Sequence, residues 1–208
     1  YDGTLSESFF RDLDLPRPDA NLGVGSGSHA QQTAALLVAI EAEVAATPPA
    51  LLVVYGDINS TLAASLVAAK MGIPLAHVEA GLRSFDRTMP EEINRVVTDQ
   101  LSDLLFTTSP EAEENLTNEG IDGSKVHFVG NPMIDTLLTH RDAFDPTRVQ
   151  QSRRINGDYA VVTLHRPANV DDPVRAAHLV HVLKTASELV PLIIPLHPRG
   201  RKALASQG

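Results

Sequence analysis

Four titratable residues come at or just after apolar runs short enough to be strands: Asp57, Glu79, His165 and His197. Residues 51–55 (LLVVY) precede Asp57 and residues 73–78 (IPLAHV) precede Glu79. Residues 159–164 (YAVVTL) and 192–196 (LIIPL) lead into the two histidines. In open parallel sheets, ligands bind beyond the carboxyl ends of the strands, so all four belong on the edge where a ligand would sit. Glu91 joins them if the turn at Pro90 brings its helix start back over the sheet. Arginines are interleaved with these acids: Arg83, Arg87, Arg95, Arg166, Arg199 and Arg201. Helix starts and arginine forks are the usual means of holding a diphosphate. Carboxylates, histidine and arginines together suit acid–base chemistry on an anionic substrate.

Each residue also has a plainer explanation. Asp57 is placed where a helix cap would be. Glu79 has Arg83 four residues on as an ion-pair partner. His165 suits a satisfied strand-end histidine, and Glu91 a first-turn acid. The coincidence of all of them on one edge favours the chemical reading. Other constellations are weaker. His178 and His181 have helical metal-ligand spacing, but no nearby acid completes a site. Residues 21–28 (NLGVGSGS) resemble a phosphate loop without matching any phosphate-binding pattern, and a loop that caps the next helix explains them better.

The elements that position these groups follow from periodicity. Residues 60–72 (STLAASLVAAKMG) read as an Ala-rich helix between two strands, with Asn59 or Ser60 as its cap and Gly72 at its end. Strand, helix, strand in one sheet makes a parallel crossover unit. An Ala-rich helix over 29–47 precedes it, stopped by Pro48 and Pro49. Helices over 90–101, 109–119 and from 132 to about 138 alternate with strands over 104–107 and 125–129. A second unit follows, with strands at 159–164 and 192–196 around a helix over 172–190. This is an α/β chain with mostly parallel sheets. The polar stretch 139–158 reads as the connection between two domains, 1–145 and 146–208. The second is too small to hold a core alone and is expected to be incomplete.

Bulk properties narrow the function classes. A net charge of −9 argues against non-specific nucleic-acid binding and against an anionic membrane surface. Aromatics make up 4% and there is no Trp, so no base-stacking platform is available. The absence of cysteine excludes thiolate catalysis, disulfides and cysteine–zinc sites, and fits a reducing compartment such as the cytoplasm. No apolar run approaches membrane-spanning length.

The run VYGDINSTLAASLVAAKMGIPLAHVEAGLRSFDRTMPEEINR, with FVGNPMIDTL, VVTLHRPANVDDP and LIIPLHPR, closely resembles the non-hydrolysing UDP-N-acetylglucosamine 2-epimerases. The resemblance implies two Rossmann-like domains in the GT-B arrangement and interconversion of UDP-GlcNAc and UDP-ManNAc without a cofactor. It implies that Asp57, Glu79 and Glu91 are the functional acids, that His165 contacts the diphosphate, and that Arg83 belongs to the substrate-binding set. Arg166 and His197 resemble residues of a second UDP-GlcNAc site, where substrate acts as activator. A cytoplasmic homodimer serving polysaccharide synthesis is implied as well. So is a strand with a UDP-binding loop before residue 1, and a UDP-clasping segment after residue 208. Ile58 departs from the pattern, which commonly has threonine there. Three alternatives remain open: a hydrolysing 2-epimerase releasing ManNAc, a 2-epimerase of a diacetamido uronic acid nucleotide, and a non-catalytic nucleotide-sugar-binding fragment.

Overall fold

A computed structural model describes residues 10, 13–153, 155–164 and 172–195. The chain divides into two compact units, Tyr1–Leu138 and Thr139–Gly208.

The first unit is built on a four-stranded parallel sheet whose spatial order is its chain order: β1 (Leu52–Tyr55), β2 (Leu75–Ala80), β3 (Leu104–Thr107) and β4 (Val126–Phe128). Helix α1 (His29–Ala46) leads in. Helices α2 (Asn59–Met71), α3 (Pro90–Leu101) and α4 (Pro110–Asn118) make the crossovers, and α5 (Pro132–Thr139) follows β4. Helix α2 packs against α1, α3 and β1. Its composition permits this, because Ala63, Ala64, Ser65, Val67 and Ala68 are all buried and their short side chains let neighbours come close. Val54, Ala64, Ala68 and Leu75 form one core cluster, and Ala80, Leu105 and Leu116 a second on the β3–α4 side.

Local chemistry explains the boundaries. The glycine-rich stretch before α1 ends in a capping box, with Ser28 and Gln31 satisfying each other's backbone amides. Gly72 closes α2 at φ +68°, a conformation costly for any residue with a Cβ. The start of α2 departs from expectation. Its N-cap is Ile58, which has no side-chain acceptor to offer, and neither Asn59 nor Ser60 caps it. Thr61 Oγ1 instead ties the first turn to the Tyr55 carbonyl at 2.7 Å. Asn59 is thereby free for the contacts described below. Helix α3 starts at Pro90, with Glu91 and Glu92 in the first turn where the helix dipole favours acids.

In the second unit, β5 (Ala160–Val161) and β6 (Leu192–Ile193) pair in parallel around α7 (Pro173–Ser187). Asp172 caps α7, accepting from the backbone amides of Val174 and Arg175. The described strands are shorter than the apolar runs that announce them. The polar stretch 139–158 is structured rather than a bare connection. It contains a 3₁₀ turn (Arg141–Ala143) and helix α6 (Pro146–Arg153), started by Asp145 accepting from the Thr147 amide at 2.9 Å. Among the described residues no helix is long and apolar enough to cross a membrane.

Candidate active site

The site begins where β1 ends. Gly56, at φ +63°, turns the chain and donates its amide to the Val78 carbonyl at 3.1 Å. The next residue, Asp57, is not a helix cap. Its carboxylate, 31% exposed, is ion-paired with the Arg95 guanidinium, and its carbonyl accepts from Asn94 Nδ2 at 2.8 Å. Both partners come from the second turn of α3, so the Pro90 turn does carry that helix back to the sheet edge. Arg95 also donates to Glu92 Oε2 at 3.0 Å and bridges the two acids.

Glu79 lies inside β2, not after it. Pairing with β3 skips from Val78↔Phe106 to Ala80↔Thr107, which leaves Glu79 as the extra residue of a bulge at φ +75°. A non-glycine residue held in that region is strained, and a bulge re-aims the side chain it carries. The Glu79 carboxylate swings toward β1. A Cβ placed on Gly56 would stand 3.5 Å from Glu79 Oε2. The structure therefore brings Glu79 against the residue that immediately precedes Asp57. The alternative of a Glu79–Arg83 pair is not what forms.

Arg83 has other partners. It donates to Asp99 Oδ2 at 2.7 Å, to the Leu82 carbonyl at 2.7 Å, and through both arms of its fork to Glu119 at 2.7 and 2.6 Å. Its side chain is 1% exposed. Burial alone would pull its pKa down, but hydrogen bonds and charge from Glu119 and Asp99 outweigh that and hold it above the usual arginine value. Arg83 anchors the loop after β2 to α3 and to the end of α4.

Glu91 lines a cavity of about 200 Å³ with His29, Gln32, Ile58, Asn59 and Asn94. Asn59 organises one wall, donating to Gln32 Oε1 at 2.7 Å and accepting from Asn94 Nδ2 at 3.3 Å. Asn94 thus touches both the Asp57 turn and the Glu91 cavity. Asp57, Glu79 and Glu91 all come from this one unit and share its strand-end edge. His165, Arg166 and His197 lie outside the described residues, as do Arg199 and Arg201. Among the described residues no cluster of His, Asp or Glu is arranged to hold a metal, His178 and His181 included.

Several supporting residues were missed or under-read in the sequence. Glu92 is buried and accepts from the amides of Ser84 and Phe85, from Ser84 Oγ and from Arg95. Burial pushes its pKa up, but these donors outweigh it and the net shift is downward. It folds the 84–85 loop onto the start of α3. His77 and Asp99 are fully buried and bonded to each other at 2.6 Å. A signal existed: a histidine in the middle of an apolar strand run is a polar group that must find a partner inside.

A parallel α/β unit with carboxylates at adjacent strand ends defines a class, the Rossmann-like folds. The comparisons narrow it. The family model for UDP-N-acetylglucosamine 2-epimerase matches residues 1–207, and the chain belongs to that family. It is 42% identical to the UDP-N-acetylglucosamine 2-epimerase of Methanocaldococcus jannaschii, over 98% of this chain and 57% of that protein. It is also 42% identical to the UDP-2,3-diacetamido-2,3-dideoxy-D-glucuronate 2-epimerase of Pseudomonas aeruginosa, over 100% of this chain and 59% of the relative. The crystal structure of the M. jannaschii enzyme in complex with UDP-GlcNAc and UDP superposes with a TM-score of 0.85 at 40% identity, covering 97% of this chain and 57% of that one. The Neisseria meningitidis enzyme bound to UDP-GlcNAc gives 0.85 at 27% identity, covering 98% and 58%. These structures put the chain in the α/β, GT-B-type class expected from its sequence. The chain spans less than three-fifths of the length of these relatives.

Proposed function

We propose that this chain supplies the acid–base half of a sugar-nucleotide 2-epimerase that interconverts UDP-GlcNAc and UDP-ManNAc. The observation that carries the reading is the bulge that turns Glu79 toward Gly56 and Asp57 at the sheet edge, within a chain of the epimerase family. The reaction is elimination followed by re-addition. A carboxylate takes the proton from sugar C2 while the C1–oxygen bond to UDP breaks, and a C1–C2 double bond forms. A second acid then delivers a proton to the opposite face of C2 as the UDP oxygen re-adds to C1. The C2 hydrogen is not adjacent to a carbonyl and is weakly acidic. Departure of the diphosphate must therefore drive the step, and its growing negative charge needs donors. In this reading Asp57, Glu79 and Glu91 carry the proton transfers. Arg95, beside Asp57, holds that carboxylate in place. His165 contacts the diphosphate, and Arg166 with His197 serves a second, activating UDP-GlcNAc. A cytoplasmic homodimer feeding polysaccharide synthesis belongs to the same reading.

The test uses the full-length protein with UDP-GlcNAc in deuterated water. Deuterium at C2 of recovered UDP-GlcNAc and UDP-ManNAc is expected, and its absence rules the mechanism out. Release of free ManNAc would point to the hydrolysing variant of the reaction. The Pseudomonas relative supports a second reading, in which the sugar is a diacetamido uronic acid. A panel of both nucleotide sugars, compared by kcat/KM, separates the two.

A further inference from the structure

We propose that the buried His77–Asp99 pair is the positioning device of the proton-transfer site, tying the Asp57 turn to the Glu79 bulge and so setting the spacing of the two carboxylates. The role rests on the epimerase reading above. His77 Nε2 meets the Gly56 carbonyl at 2.8 Å, the peptide group that leads directly into Asp57. His77 Nδ1 meets Asp99 Oδ1 at 2.6 Å. The other oxygen of Asp99 accepts from the Gly81 amide at 3.1 Å, two residues beyond Glu79, and from Arg83 at 2.7 Å. One continuous chain of hydrogen bonds therefore runs from the turn that presents Asp57 to the far side of the bulge that presents Glu79.

The sheet does not need this chain for its register. Backbone pairing between β1 and β2 runs from Leu52↔Leu75 to Tyr55↔Val78 without help. The β1–β2 ladder ends with the Gly56 amide on the Val78 carbonyl; past it lie Asp57 on one strand and the Glu79 bulge leading to Gly81 on the other. His77 and Asp99 reach those two segments. A buried polar pair is a weak way to gain stability, because desolvation offsets most of the attraction. An apolar pair of similar volume would fill the space but hold neither turn. Hydrogen-bond logic also defines the ring. A carbonyl cannot donate, so Nε2–H donates to Gly56. His77 Nδ1 and Asp99 Oδ1 share the hydrogen bond on the other side of the ring.

The full-length enzyme with His77→Gln or Asp99→Asn tests the role through C2 exchange and calorimetric UDP binding. Since displacement of a reacting group by about 1 Å costs about 100-fold, kcat is expected to fall by about that factor with KM and the UDP Kd within about threefold. Undiminished kcat in variants that bind UDP overturns the proposal. So does loss of UDP binding in step with kcat, which would mark the pair as structural only. Nitrogen-15 spectra of the unaltered enzyme give a readout that no variant's folding can spoil. A proton on His77 Nε2 is expected, and a bare Nε2 overturns the geometry. Absence of C2 exchange in the unaltered enzyme would sink the epimerase reading itself. Normal exchange there, with unchanged exchange in the variants, sinks the positioning role alone.

Discussion

The molecule contains the same local design twice, and the two copies are braced differently. In the first, β1–α2–β2, the helix buries six residues, and the strand ends are locked by His77, Asn94, Arg95 and Asp99. In the second, β5–α7–β6, Ala176 is the buried apolar residue of the described part, while Val174 and Leu189 are 79% and 88% exposed. Strand–helix–strand periodicity is enough to form the unit in both places. It does not by itself make a rigid strand-end edge, which in the first unit depends on side chains arriving from α3. Proton transfer between fixed groups needs that rigidity, and in the proposed reading it falls to Asp57, Glu79 and Glu91 of the first unit.

The largest effect that would break this contrast is on catalysis. Asp57→Asn or Glu79→Gln in the full-length enzyme should lower C2 exchange by at least about 100-fold, the scale of one general acid or base, with circular dichroism unchanged. Near-normal exchange in both variants rejects their assignment. Next comes the core. Leu105→Ala, fully buried between β2 and β4, should cost about 2–5 kcal/mol in urea denaturation. Leu189→Ala in the second unit should stay within about 0.5 kcal/mol, as an exposed position does.

Two glycines sharpen the comparison further. Gly81 sits at φ +79°, and a Cβ there would lie 2.4 Å from the Ala112 carbonyl oxygen. Gly81→Ala should destabilise by about 3 kcal/mol, combining overpacking with left-handed strain. Gly157, at φ +83° with nothing within 4 Å, carries the strain alone, so Gly157→Ala should cost about 1 kcal/mol. Equal losses at the two positions would deny the first unit its tighter packing.

The smallest effect is in pH dependence. Because the folded Glu92 carboxyl titrates below its ordinary 4.5, its contribution is fully present above that value and is lost as the pH falls through the folded one. The gap in melting temperature between wild type and Glu92→Gln should be widest at neutral pH and narrow below pH 4.5. A gap that stays constant to pH 3 would show that Glu92 holds the 84–85 loop without being charged.

Much of this was legible in advance where the signal is local. The strand over 104–107, the Ala-rich α1 and α2, the glycine ending α2 and the proline starting α3 follow from period and from caps. Asp57, Glu79 and Glu91 stood out because they come at the ends of such elements. The plainer pairing of Glu79 with Arg83 rested on local spacing, whereas the partners Arg83 takes lie 16 and 36 residues away. Asn59 suited a cap by position, yet it was drawn to Gln32 and Asn94 once α1 and α3 packed beside it.

The sequence by itself determined the order and type of elements in the first unit, the family, and which acids reach the sheet edge. These depend on side-chain period and on residues within a few positions of each other. Only the tertiary structure decided that Glu79 stands on a bulge, that Arg95 takes Asp57, and that His77 and Asp99 join the two turns. Those pairings bridge 18 to 38 residues of chain. Such partners are selected by how the helices pack on the sheet, a choice that no short stretch of residues contains.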